Sequence, residues 1–176
     1  MNPLKLRRGV ASTLMILTAA ALQTTLFVRL RPFDAAPALV LLVVIALARH
    51  LSPEIALLMG FSAGLLQDLL SDAPLGLWAL TFTSVAYAVV RLRDRMEEDF
   101  SLFGPFVFAV SALAIALFAV LGTIFGEKTL ADAGLWRKIV LPSLYNAFLT
   151  GAMLPFATWA LGANRRRAQS VSKYQS

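Results

Sequence analysis

Six apolar stretches separated by short polar segments occupy most of the chain and limit the folds open to it. A helix needs about 20 residues to cross ~30 Å of hydrocarbon, and the first, fifth and sixth stretches are long enough. The second is short, because 14 residues extend only about 21 Å at ~1.5 Å per residue. The stretches are 10–28, 35–48, 55–70, 74–90, 103–125 and 139–161.

The composition shows that the whole chain is unusually apolar. Of 176 residues, 59% are hydrophobic and 15% are charged, against about 45–50% and about 25% in a soluble domain. The sequence therefore predicts an all-α integral membrane protein with six transmembrane helices. Its expected parts are a cytoplasmic N-terminus (1–9), the six-helix domain (10–161) and a basic cytoplasmic tail (162–176).

The second and third stretches leave two topologies open. They form either two crossings or a re-entrant hairpin that turns at residues 49–53, and we favour two crossings. Both choices place the two termini on the same side of the membrane. The N-terminus resembles a signal peptide, but its apolar run continues to residue 28, so we expect an uncleaved first span.

Basic residues predict which side is cytoplasmic. With both termini inside, eleven Lys and Arg residues face the cytoplasm and five face outward, as the positive-inside rule requires. Trp78 and Trp136 then lie near the outer interface and Trp159 near the inner one, where tryptophan anchors membrane proteins. The cytoplasmic segment 91–100, RLRDRMEEDF, is either a connector held near anionic lipids or a surface for a cytoplasmic partner.

Small and acidic residues recur at every fourth position of the third stretch. Ala56, Gly60, Gly64, Asp68 and Asp72 share one face of a helix. The GxxxG pair within this stripe allows another helix to approach closely. That helix belongs either to the same chain or to a partner protein.

Asp68 is an acid within an apolar segment and has three possible roles. It is satisfied by Gln67, Ser71 or a backbone amide, it contacts a partner, or it binds a proton or cation. The first role is favoured, because a proton pathway needs further ionisable groups at depth and the sequence supplies none. Asp72 precedes Pro74 and is predicted to be the N-cap of the fourth helix.

The sixth stretch carries a second polar face, formed by Ser143, Asn146 and Thr150. Membrane helices use such residues for hydrogen bonds between helices, so this face holds either the bundle or a partner. The motifs offer no support for catalysis, because the chain has no cysteine, one histidine and no HExxH or Walker motif. We expect no enzyme activity, cofactor, metal or nucleic-acid partner.

Together these features resemble the family of the rod-shape-determining membrane protein MreD. The resemblance rests on Gln23, on GFSAGLLQDLLSDAPLGLWAL (60–80) and on LPSLYNAFLTGAMLPF (141–156). One departure is Pro37-Ala38-Leu39, where family members often have Pro-Asp-Leu. The resemblance implies a bundle like that of the S-components of energy-coupling-factor transporters.

The resemblance also implies a function and a set of partners. It implies a bacterial inner-membrane subunit of the cell-elongation complex that binds MreC and helps organise lateral peptidoglycan synthesis. RodA, its transpeptidase partner and MreB are expected in the same complex, and anionic lipids around it. The alternative is a small-solute transport component, which would need a polar cavity.

Overall fold

The computed structural model describes residues 3–29, 36–93 and 103–162. These ranges contain six α-helices, one 3-10 turn (Thr129–Ala131) and no strand, which confirms the all-α prediction. The segment 94–102 and the tail from residue 163 lie outside the described residues. The helices are α1 (Pro3–Arg29), α2 (Leu39–His50), α3 (Pro53–Leu69), α4 (Leu77–Leu92), α5 (Phe103–Ile124) and α6 (Leu135–Ala160).

Helix α2 lies at the centre of the bundle. Its residues 40–48 are all buried, which fits a helix that is apolar on every side. It contacts each of the other five helices. The shortest of the six helices is therefore the one around which the others pack.

Successive helices run in alternating directions, so their termini gather at two ends of the bundle. At the Asp68 end, the C-terminal parts of α1, α3 and α5 meet the N-termini of α2, α4 and α6. At the Arg93 end the opposite termini meet, and Arg93 of α4 contacts the last turn of α2. Helices α2 and α3 thus run antiparallel between the two ends, joined by Leu51 and Ser52, with Pro53 in the first turn of α3.

The outer surface of the bundle is strongly apolar. Phe148 is 88% exposed and Trp159 75%, and large aliphatic side chains are exposed along α1, α3, α5 and α6. Helices α5 and α6 are long and apolar enough to cross a membrane, and α2 and α4 are shorter apolar helices. A covered core and an apolar exterior are compatible with a membrane protein.

The glycine stripe lies in the contact between α3 and α4. A Cβ atom added at Gly64 would be 2.4 Å from Ala79 Cα and 2.5 Å from the Trp78 carbonyl oxygen. At Gly60 it would be 2.9 Å from the Phe82 carbonyl oxygen. The absence of side chains at these two positions is what allows α4 to lie directly on α3.

We expect Gly64→Ala to destabilise the protein by about 3 kcal/mol, because the added methyl group meets backbone atoms that cannot move aside cheaply. Gly151→Ala is the matched control, since a Cβ at this exposed position on α6 meets nothing within 4 Å. Thermal unfolding of the detergent-purified variants measures both. Equal midpoints for the two variants would contradict the packing described above.

Candidate functional site

Asp68 binds the N-terminus of α4 with both carboxylate oxygens. Its Oδ2 accepts hydrogen bonds from the backbone N–H of Gly76 (2.9 Å) and Ala79 (3.2 Å). Its Oδ1 accepts one from the N–H of Trp78 at 2.9 Å. With 2% of its surface exposed, Asp68 is satisfied by backbone amides, which is the role favoured by the sequence.

The local sequence explains why α4 needs a cap from another helix. Gly76 occupies the N-cap position with φ +98°, a conformation that favours glycine, and it has no side chain to offer. The first N–H groups of a helix lack partners within it and carry partial positive charge. Asp68 supplies the missing acceptor from eight residues upstream.

The prediction that Asp72 caps this helix is wrong. Helix α4 begins at Leu77 with Gly76 as its N-cap, and Asp72 is exposed in the connecting turn. The proline signal at Pro74 placed the helix start too early. The carboxylate one helical turn before Asp72 takes the role instead.

A glutamine pair joins three helices at the same end. Gln23 Nε2 of α1 donates to Gln67 Oε1 of α3 at 3.2 Å. Gln23 Oε1 accepts from the backbone N–H of Val40 in the first turn of α2, also at 3.2 Å. Since Ala38, the N-cap of α2, has no capping side chain, Gln23 does for α2 what Asp68 does for α4.

Two arginines bind helix C-termini at the opposite end. Arg93 Nη1 donates to the carbonyl oxygens of Ala48 (3.2 Å) and Leu51 (2.6 Å) at the end of α2. Arg8 Nε donates to the Leu161 carbonyl oxygen after α6, at 3.2 Å. Cations suit these sites, because the last carbonyls of a helix are unsatisfied and partly negative.

The polar face of α6 is turned toward α5. Asn146 Nδ2 donates to Ser111 Oγ at 3.1 Å, and both side chains are buried. Ser143 and Thr150 donate to backbone carbonyls of their own helix. The predicted face therefore lies inside the bundle, and Asn146 Oδ1 has no partner among the described residues.

The three tryptophans have different surroundings. Trp78 is half-buried and stacks on Phe118 of α5, with ring centroids 3.9 Å apart and planes at 15°. It packs α4 against α5 instead of reaching outward. Trp136 and Trp159 are 63% and 75% exposed at opposite ends of α6, as membrane-interface anchors would be.

The structure thus brings Gln67 and Asp68 together at one end of the bundle and sets Ser143, Asn146 and Thr150 apart in the α5–α6 contact. Gly60 and Gly64 lie between α3 and α4, and Ala56 is buried on the same face of α3. Sequence reasoning did not single out Ser111 or Arg8 as contacts. A serine within the apolar run of α5, opposite the only asparagine of α6, was the available signal for Ser111.

Comparison with known families shows which family the chain belongs to. The family model described as rod shape-determining protein MreD matches residues 5–159. The chain belongs to the MreD family. The family's described role is the determination of rod shape, and no catalytic activity is part of that description. No curated protein and no solved structure matches the chain.

The three hydrogen bonds to Asp68 make its substitution costly. We expect Asp68→Asn to lower the free energy of unfolding by about 3 kcal/mol, because an amide has one acceptor oxygen and leaves buried N–H groups of α4 unpaired. Asp72→Asn, in the exposed turn nearby, is the control and should change little. Denaturation in detergent measures both, and an unchanged Asp68→Asn midpoint would refute the capping role.

The glutamine pair allows a double-mutant cycle. Gln23→Ala should cost more than Gln67→Ala, because it also unpairs the buried Val40 N–H. We expect a coupling energy of about 0.5–1 kcal/mol, typical of hydrogen bonds between membrane helices. Unfolding midpoints of the two single variants and the double variant test this, and strictly additive costs would show that the two amides do not interact.

Proposed function

We propose that the protein is a multi-pass protein of the bacterial inner membrane, with six transmembrane helices and both termini in the cytoplasm. The apolar outer surface supports this proposal, since its exposed aromatic and aliphatic side chains suit a lipid environment. The alternating helix directions fit six crossings. The turn between α2 and α3 lies at the Arg93 end, beside the C-terminus of α4, which supports two crossings over a re-entrant hairpin that turns within the membrane. An S-component-like arrangement remains part of this proposal.

The distribution of arginine supports the orientation. Arg7, Arg8, Arg49, Arg91 and Arg93 lie at the Arg93 end of the bundle, which would face the cytoplasm. The opposite end has Arg29, Lys128, Arg137 and Lys138 among its described residues, and Lys138 is paired with Asp132. The Arg93 end is the richer in cations, as the positive-inside rule expects.

We further propose that the protein is a non-enzymatic subunit of the rod complex that binds MreC, within an assembly including RodA, its transpeptidase partner and MreB. The family match over residues 5–159 carries this proposal. The polar groups singled out from the sequence bind helix termini and neighbouring helices of the same chain, so we assign them a structural role and expect other residues to contact partners.

The outer surface of the bundle is the proposed contact with MreC. The glycine stripe was a candidate groove for a partner helix, but α4 of the same chain occupies it. The Ser143–Asn146–Thr150 face was the second candidate, and α5 covers it. A partner helix therefore has to pack on side chains that point away from the bundle.

The transport alternative requires polar groups to line a cavity for a solute. Gln23 and Gln67 bind each other, Asp68 accepts three backbone hydrogen bonds, and Thr81 donates to its own helix. These groups are engaged in holding the fold, so no observation favours the alternative.

Co-purification from native membranes tests the proposed function. Tagged wild-type protein should recover MreC, and an unrelated multi-pass protein with the same tag should not. Ser143→Ala and Gly64→Ala should retain MreC in proportion to the folded protein recovered, because both positions face the inside of the bundle. Absence of MreC from the wild-type sample would contradict the proposal.

Selective loss of MreC from a folded variant has a different meaning. If folded Gly64→Ala, judged by gel filtration in detergent, lost MreC while Ser143→Ala kept it, the stripe would be the docking face after all. The proposed outer contact would then be wrong, while the membership of the rod complex would stand.

A further inference from the structure

A groove runs along the outside of the bundle between α1 and α6, with α2 as its floor. We call it the α1–α6 groove, and its volume is about 400 Å³. Leu14 and Thr18 line it from α1, Leu42 from α2, and Met153 and Phe156 from α6. Its walls are almost wholly apolar, so it suits a hydrocarbon occupant.

One end of this groove is cationic. Arg7 is the charged residue in the lining, and its side chain is exposed. Arg7 has no hydrogen-bond or ion-pair partner within the described part of the chain. Arg8, the next residue, is bound to the C-terminus of α6, which places both arginines where α1 and α6 meet. Trp159, a residue type that favours the membrane interface, lines the same end.

The dimensions favour a slender occupant. From Arg7 to Leu22 the groove follows α1 for about 22 Å at ~1.5 Å per residue, more than the ~15 Å of one membrane leaflet. A partner helix has a diameter of ~10 Å, so it would enter the groove less readily than a much thinner acyl chain.

We propose that the α1–α6 groove binds an anionic phospholipid, with one acyl chain along the apolar walls and the phosphate on Arg7. The inference rests on the proposed membrane location, which puts Arg7 at the cytoplasmic leaflet where anionic lipids are concentrated. In lipid, an acyl chain gains little from apolar walls alone. The charge of Arg7 therefore provides the selectivity for anionic lipids, and the groove determines where the acyl chain lies.

The test uses the detergent-purified full chain and native mass spectrometry with added dioleoyl phosphatidylglycerol or dioleoyl phosphatidylcholine. Wild type should retain the anionic lipid preferentially. Arg7→Gln should reduce that preference about fivefold, the effect of one arginine near a membrane surface. Arg91→Gln is the matched control, because Arg91 is exposed at the same end, lies over Tyr87 and does not line the groove. Equal loss from both variants would overturn the proposal.

A second pair of variants tests the groove itself. Thr18→Phe fills it from an exposed position, whereas Thr13→Phe adds the same ring on α1 outside the lining. Thr18→Phe should displace both lipids, and Thr13→Phe neither. Retention of lipid by folded Thr18→Phe would overturn the proposal. So would loss of MreC from Thr18→Phe with lipid retained, which would make the groove a docking site for a protein helix.

The lipid measurements use the chain without its partner, so their result does not depend on MreC. If MreC failed to co-purify, the proposed rod-complex role would fail and lipid selectivity could still hold. If selectivity failed while MreC co-purified, the lipid site alone would be wrong.

Discussion

The bond between the Asp68 carboxylate and the first backbone amides of α4 is the interaction on which the rest of the bundle depends. It fixes the start of α4 against the end of α3. The glycine contacts at Gly60 and Gly64 then hold the two helices together along their length. With α4 in this register, Arg93 at its other end reaches the last carbonyls of α2. One acid thus helps to position three helices.

The same solution recurs at other helix ends. Gln23 reaches the first turn of α2, and Arg8 reaches the last carbonyl after α6. Such contacts have a physical reason in a short helix within an apolar environment, because an unpaired backbone group there costs several kcal/mol. In water these groups would have solvent as an alternative. Capping by neighbouring helices is therefore consistent with the proposed membrane location.

The helical class and the important residues could be predicted from the sequence. The contacts that these residues make were predicted less accurately. Periodicity showed that Gly60, Gly64 and Asp68 share a face, but helix spacing alone cannot say whether a neighbour in the same chain or a partner covers that face. The Asp72 error has a similar cause, since aspartate near proline is a local signal, whereas the cap at Asp68 is a tertiary contact. The bond between Ser111 and Asn146 spans 35 positions and depends on how α5 and α6 pack.

The residues of the glycine stripe and of the polar face on α6 contact other helices of the same chain, so they are not available to bind a partner. The stripe and the polar face stabilise the bundle, and the outer surface is left for the proposed contacts with lipids and partner proteins. Amide hydrogen exchange of the detergent-purified protein, resolved at Gly76, Trp78 and Ala79, tests the central claim most directly. Capping by Asp68 predicts that these three amides exchange as slowly as the interior of α4 and become fast in Asp68→Ala, before the rest of the helix does. Fast exchange at all three positions in the wild-type protein would contradict it.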